Sequence, residues 1–513
     1  MSMLRNFATV GGATATSRVL GFVRDMFIAA ALGTGPVADA FVVAFRFPNL
    51  FRRLFAEGAF NSAFIPLFAR ALEGEGRASA SRFAGEAAVA LLTVLLLLTA
   101  LCEIAMPLLM YVMAPGFASD PEKFDLAVLL TRIAFPYLAL VSLLALMSGV
   151  LNGLGRFAAA ALAPALLNVV LIGTLVFIFF MDWADTRQAG IALTVGTVVG
   201  GAAQLVLVIA ALRRAGFSIP LRRPVLSAGV RRLARLAVPG VIAGGVTQIN
   251  IVVGTMIASM SAGAVSYLYY ADRLYQLPLG VVGVAIGVVL LPDISRRLRA
   301  ADMAGTLHAQ NRAIEFSLIL TLPATVALIT MPLVIVTALF QRGAFQAADS
   351  VATANAVVAF ALGLPAFVLN KVFSPAFFAR EDTATPMRFA IAGVVANIVF
   401  SLALFPFFAH VGIALATSLA GWLNTGLLAR GLLRADALVF DARLKSKIAG
   451  SVVASLLMGA VILALRWLLD GRMPPLLLLA GLVAAGVVAY AAAAVLLKVT
   501  SPSEIRRMMR RRA

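Results

Sequence analysis

SRVLGFVRDMFIAAALGTGPVADAFVVAFRFPNLFRRLFAEGAFNSAFIP, residues 17–66, is the stretch that decides the class of fold. It consists of two apolar helical runs joined by a short GTGP turn. Inside the runs stand Arg18, Arg24, Asp25, Asp39, Arg46, Arg52, Arg53 and Glu57, among residues that would otherwise pass for membrane spans. A charge at mid-bilayer costs at least a few kcal/mol, so such residues normally face a wet, protein-lined cavity and mark a transport path. Basic residues outnumber acidic ones here, which points to an anionic cargo.

The rest of the chain agrees with a membrane setting. Of 513 residues, 62% are hydrophobic and 13% charged, and the mean hydropathy is +1.00. Soluble domains are closer to half apolar and a quarter charged. A hydrocarbon core of about 30 Å takes roughly 20 apolar residues per helix, so the composition implies a polytopic all-α membrane protein. The strand-like alternation of a transmembrane barrel is absent. One cysteine, Cys102, excludes a disulfide framework and any CxxC metal site. His308 and His410 are far apart and form no ligand cluster, so no metal site, catalytic residue or cofactor is expected. The net charge of +19 is spread over alternate loops, as the positive-inside rule requires, and not over one soluble face, so nucleic acid is not an expected partner. No cleavable signal peptide is expected at the N-terminus.

About fourteen helices are expected, at roughly 5–32, 36–70, 83–114, 124–153, 157–181, 188–213, 233–260, 264–296, 310–340, 347–379, 385–408, 411–433, 448–469 and 475–498. Links after even-numbered helices carry the Arg/Lys excess; odd-to-even links such as GTGP, SAG and AHVG are nearly bare of it. Both termini are therefore expected in the cytoplasm. IPLFARAL at 65–72 resembles LPDISRRL at 291–298, offset by 226 residues, and MPLLMYVMAPGF at 106–117 resembles MPLVIVTALFQRGAF at 331–345, offset by 225. Pro136 and Asn168 fall opposite Pro365 and Asn397, both at 229. The near-constant offset predicts two parallel six-helix lobes, residues 1–224 and 225–434, a repeat arrangement known among secondary transporters. Residues 435–513 hold an appended lipid-facing helix pair and a basic tail suited to anionic lipid.

Each charged group has two readings. Arg18 and Asp25, seven residues apart, share one face of the first helix, with Arg24 about 100° round from Asp25. On the second helix Asn49, Arg52, Arg53 and Glu57 share neighbouring faces, and Arg53–Glu57 is a natural i,i+4 ion pair. Arg18, Arg24 and Arg52 lack enough carboxylates nearby in sequence. Arginine keeps its charge when buried and holds phosphate oxygens bidentately, so the cluster suits a diphosphate; internal ion pairing is the alternative. On the eighth helix Asp272 and Arg273 stand among aromatics at the repeat equivalent of the Arg46–Asn49 region. Arg273 either joins the cargo-binding set or is neutralised by Asp272. Lys371 reads as a snorkelling or paired cation, and Glu103 and Arg132 as helix-end residues. Glycines and prolines interrupt many spans, as close helix approach and bending require. None follows a strand, so dinucleotide and P-loop readings fail, and with no ATP-binding module any driving force is an ion gradient, the membrane potential or substrate asymmetry.

The run SRVLGFVRD…VADAFVVAFRFPNLFRRLFAEGAFNSAFIP resembles the N-terminal signature of the MurJ (MviN) family, and FQRGAF at 340–345 resembles that family's RGAF element. The resemblance covers essentially the whole chain. It implies a lipid II flippase of peptidoglycan synthesis, within the multidrug/oligosaccharidyl-lipid/polysaccharide exporter superfamily, in the bacterial inner membrane. It also implies a V-shaped cavity between two lobes and a hydrophobic groove formed by the last two helices. The arginines that hold head group and diphosphate in the family correspond to Arg18, Arg24, Arg52 and Arg273. Ser17, Asp25, Asp39, Asn49, Arg53 and Glu57 lie in the matching run or beside it, as supporting or gating positions. The partners implied are lipid II, membrane lipids and cell-wall synthesis proteins. Some relatives bind sodium in the second lobe; no acidic cluster here marks such a site, and the coupling ion stays unidentified. A flippase for another polyprenyl-linked oligosaccharide is the alternative, followed by a cation-coupled drug antiporter, which would favour acidic cavity residues.

Overall fold

The computed structural model describes residues 3–53, 59–220 and 223–500. Among these residues all regular structure is helical: α1 Met3–Leu32, α2 Pro36–Arg52, α3 Ala59–Gly74, α4 Gly76–Ile104, α5 Met106–Met113, α6 Pro121–Ala134, α7 Tyr137–Gly153, α8 Ala158–Phe180, α9 Arg187–Arg214, α10 Ala228–Ser259, α11 Ala264–Arg299, α12 Met303–Thr330, α13 Pro332–Phe340, α14 Ala347–Phe378, α15 Ala384–Arg434, α16 Ala442–Leu469 and α17 Pro475–Leu496. Among the described residues, nine helices are long and apolar enough to cross a membrane. The charge-bearing α1 and α2 are not among the nine.

Helix starts follow local chemistry. Asp120, Thr186, Ser227, Asp302 and Asp441 each accept a backbone N–H of the first turn of the helix that follows. Pro36, Pro121 and Pro475 open helices at positions where no amide donor is needed.

Several expected single helices are interrupted. The span expected over 83–114 breaks at Ala105, before Met106–Pro107, and the one expected over 310–340 breaks at Met331, before Pro332. In each case proline clashes with the preceding turn and supplies no amide. The span over 124–153 breaks likewise at Phe135–Pro136. The span expected over 36–70 is represented by α2 and α3, on either side of residues that lie outside the described set. The two spans expected over 385–408 and 411–433 are both present within α15, which consists of two helices separated by a kink at Ala409 (φ 45°, ψ −128°).

The chain forms two compact units: Met1–Ser266 with Arg342–Gln346, and Tyr267–Gln341 with Ala347–Ala513. In the first, α1 packs along α8, α8 on α9, α2 on α6, α7 on α9 and α10 on α3. Gly196 and Gly200, one turn apart on α9, let α8 approach so closely that a Cβ at either would lie 2.5 Å from a side-chain atom of Thr174 or Leu167. In the second unit α14 packs along α15, α12 lies between α14 and α16, and α17 closes on α16.

Candidate substrate-binding site

On α1 the sequence brings a cation, an anion and an amide together against α8. Arg24 donates from Nε and Nη2 to Asp25 Oδ1, at 3.0 and 2.7 Å, and from Nη1 to Asn168 Oδ1 at 2.8 Å. Asn168 in turn donates to the Ser17 carbonyl at 2.9 Å. Asp25 is therefore bound by Arg24, not by Arg18 on its own face: the long guanidinium folds back across the turn to reach the adjacent carboxylate. Arg18 is exposed and makes no hydrogen bond or ion pair among the described residues.

On α2, Asn49 donates to the Phe45 carbonyl at 2.7 Å, which leaves its Oδ1 to accept from Arg52 Nε at 2.9 Å. Arg46 donates to Thr255 Oγ1 of α10 at 3.1 Å. Arg53 is exposed at the C-cap. Glu57, its expected i,i+4 partner, lies outside the described residues. At 1.5 Å of rise per residue, Arg24 and Arg46 stand about 12 and 15 Å along their helices from the GTGP turn, and Arg18 and Arg52 about 21 and 24 Å.

Close to that turn, Asp39 is fully buried and fully occupied. Lys123 Nζ donates to its Oδ2 at 2.6 Å, as does the Gly263 amide at 3.1 Å; the Ser266 amide and hydroxyl donate to Oδ1 at 3.0 and 2.7 Å. The Lys123 ammonium also sits 4.1 Å from the centre of the Phe117 ring. Asp39 thus ties α2 to α6 and to the turn after α10. Beside it, the RGAF element packs on the end of α1: the Ala344 amide donates to the Ala30 carbonyl at 2.9 Å. A Cβ on Gly33 would lie 2.5 Å from the Ala344 oxygen, and one on Gly343 2.4 Å from the Ala30 oxygen. Both glycines have positive φ, so only glycine fits this interlock.

In the second unit the Arg273 guanidinium lies over the Tyr269 ring, 4.7 Å from its centre, and Asp272 accepts from the Gln276 amide. Lys371 is exposed on α14.

Sequence reasoning singles out the arginines and Asp39 but misses their partners: Asn168 for Arg24, Thr255 for Arg46, and Lys123 and Ser266 for Asp39. For Lys123 a signal exists. The Asp120–Pro121 start puts it in the first turn of α6, as the Gly35–Pro36 start puts Asp39 in the first turn of α2.

Apolar spans, helices broken by proline and arginines held on the charged helices α1 and α2 define a multi-pass α-helical membrane transporter. The sequence model of the family described as "Lipid II flippase MurJ" matches residues 28–484. A "Probable lipid II flippase MurJ" of Rhizobium meliloti (strain 1021) is 49% identical, covering 100% of this chain and 97% of the relative. One of Rhizobium tropici is 51% identical, covering 91% and 88%. The solved structure "Lipid II flippase MurJ, inward closed conformation" matches with TM-score 0.80 at 26% identity, over 95% of this chain and 98% of that one. A multidrug resistance MATE family transporter in an inward-facing conformation matches in fold, with TM-score 0.68 at 16% identity, over 82% and 95%. The chain belongs to the lipid II flippase MurJ family, a family of transporters and not of enzymes, and it is a multi-pass protein of the inner membrane.

Proposed function

We propose that the chain carries lipid II from the cytoplasmic to the periplasmic leaflet by alternating access of its two six-helix lobes, residues 1–224 and 225–434, with the diphosphate and head group held by Arg18, Arg24, Arg52 and Arg273. The observation that carries this reading is membership of the lipid II flippase MurJ family over 28–484. The arginine chemistry supports it. Diphosphate cannot cross bare hydrocarbon without compensating charge, and Arg18 is a cation with no protein partner among the described residues. Arg24 and Arg52 are oriented by Asp25, Asn168 and Asn49, which lowers the ordering cost of gripping a bidentate ligand.

Ser17, Asp25, Asn49 and Arg53 serve as supports of that grip, with Asp39 as a gating tie and Glu57 as a further support. Binding of the cargo favours one lobe arrangement over the other, and release to the far side resets it, a population shift driven by differential affinity. Both termini lie in the cytoplasm, residues 435–513 guide the polyprenyl tail, and cell-wall synthesis proteins are the partners supplying and consuming the cargo. The test is outer-leaflet lipid II in cells depleted of the protein and complemented with Arg18→Ala, Arg24→Ala, Arg52→Ala or Arg273→Ala. The reading expects failure of rescue by folded variants; normal outer-leaflet lipid II in all four would refute the site.

A further inference from the structure

Away from these charged helices, the link between α9 and α10 is fastened along one face of α4. Arg77 Nη2 donates to the carbonyls of Ala215 and Gly216, at 3.1 and 3.5 Å, and its guanidinium stacks over Phe217 at 5.9 Å. One turn on, Ser81 donates to the Ser218 carbonyl at 2.6 Å. A further turn on, Gly85 admits Pro220, whose oxygen lies 2.3 Å from where a Cβ would stand. Beside it, Glu86 accepts from the Ser227 hydroxyl at 2.6 Å. Positions 77, 81 and 85 recur every four residues, so they form a single stripe on α4.

Between the stripe and the link lies a pocket of about 420 Å³, lined by Arg77, Ser81, Arg82, Phe217 and Ser218. That volume falls within the range of small-ligand sites. Arg77 is fixed in orientation by the two carbonyls and the ring. Arg82 is exposed and makes no hydrogen bond or ion pair among the described residues. Nearby on the chain, Glu75 accepts from the Ser79 hydroxyl and Glu86 from the Ser227 hydroxyl. Arg213 and Arg214 end α9 just before the link. Two guanidinium groups, Arg77 and Arg82, and the Ser218 side chain line the pocket, and no acidic residue is among its lining residues, a donor set matched to a phosphate.

Its location selects the source of that phosphate. α4 is one of the candidate spans, and its apolar body exposes Val94, Leu96, Leu97, Leu101 and Ile104. Its first turns, which carry the pocket, stand at the polar end of that span. The link adds exposed Val225 and Leu226. A phosphodiester headgroup at this level would reach the arginines while its acyl chains run down the α4 surface. We infer that the Arg77–Arg82 pocket binds the phosphate of an anionic phospholipid headgroup and so braces the α9–α10 link against α4.

The test uses the full-length protein in phosphatidylcholine nanodiscs carrying phosphatidylglycerol, with lipid retained on the protein counted by native mass spectrometry. Arg82→Ala, which breaks no observed bond, is expected to weaken phosphatidylglycerol retention about tenfold, as loss of one charge-assisted contact implies, and Arg77→Ala at least as much. Arg434→Ala, which removes one exposed arginine at the end of α15 in the other unit, is expected to leave it unchanged. Wild-type retention in Arg82→Ala, or equal retention of phosphatidylcholine at the pocket, overturns the inference. Displacement by inorganic phosphate at matched concentration overturns the lipid source and assigns the pocket to a soluble phosphate.

Discussion

At Arg24 one guanidinium is shared between a carboxylate and an amide, which makes the position a test of arginine against lysine. Arg24→Lys keeps the charge but has no planar fork to bind Asp25 and Asn168 together. It is expected to retain little of the transport that Arg24 supports, while Arg18→Lys retains more because Arg18 is held by no observed bond; rescue of depleted cells measures both. The buried pair Asp39–Lys123 answers a different question. Lys123→Met leaves an uncompensated carboxylate of 0% exposure, and breaking such a pair costs about 3–5 kcal/mol. A clear fall in thermal midpoint in detergent is expected, partly recovered in Asp39→Asn/Lys123→Met. At this scale the sequence shows which residues are out of place in a membrane, because charge in an apolar run is visible without structure. It does not show their partners, since Asn168 and Lys123 come from helices 144 and 84 residues away in sequence.

The helices themselves are largely legible, because apolar periodicity and capping residues are local. Their interruptions at Ala105, Phe135 and Met331 are marked by Met–Pro and Phe–Pro steps that a hydropathy reading passes over. The kink inside α15 is expected from AHVG, yet it falls on an alanine: Ala409 holds a positive φ that L-residues disfavour, and a Cβ on Gly412 would lie 2.7 Å from the Leu404 oxygen. Ala409→Gly is expected to raise stability by about 1 kcal/mol and Gly412→Ala to lower it, both read from thermal unfolding. At the base of the final pair, Arg312 of α12 binds Glu315 and Asp441, and Arg443 donates to Glu315. Burial alone would raise the Asp441 carboxyl, but the Leu444 amide and the Arg312 guanidinium outweigh it and hold it below the usual carboxylate value. A lowered folded value means that this stabilisation is fully present above the ordinary Asp value of about 4 and is lost as pH falls through the lower folded value. Thermal stability contributed by Asp441, taken as the difference from Asp441→Asn, is thus expected to be flat from about pH 5 to 8 and to shrink only in stronger acid.

For the whole molecule, the internal repeat is legible twice over. The motif offsets of 225 and 226 in sequence are close to the spacing of the element starts: 227 between α4 at Gly76 and α12 at Met303, 226 between α6 at Pro121 and α14 at Ala347, and 226 between α8 at Ala158 and α15 at Ala384. A Met–Pro step marks the break in both halves, as the first two residues of α5 and across the start of α13. Packing follows other lines, since α10 and the RGAF element belong to the first compact unit; close approach such as that of Gly33 and Gly343 depends on backbone geometry that no motif spells out. The most direct test of the central claim measures lipid II exposed on the outer face of the inner membrane after depletion, with wild-type or Arg18→Ala protein supplied in return. The account predicts that lipid II accumulates on the inner face, that wild type restores outer-face lipid II and that folded Arg18→Ala does not. Unchanged outer-face lipid II on depletion would contradict it.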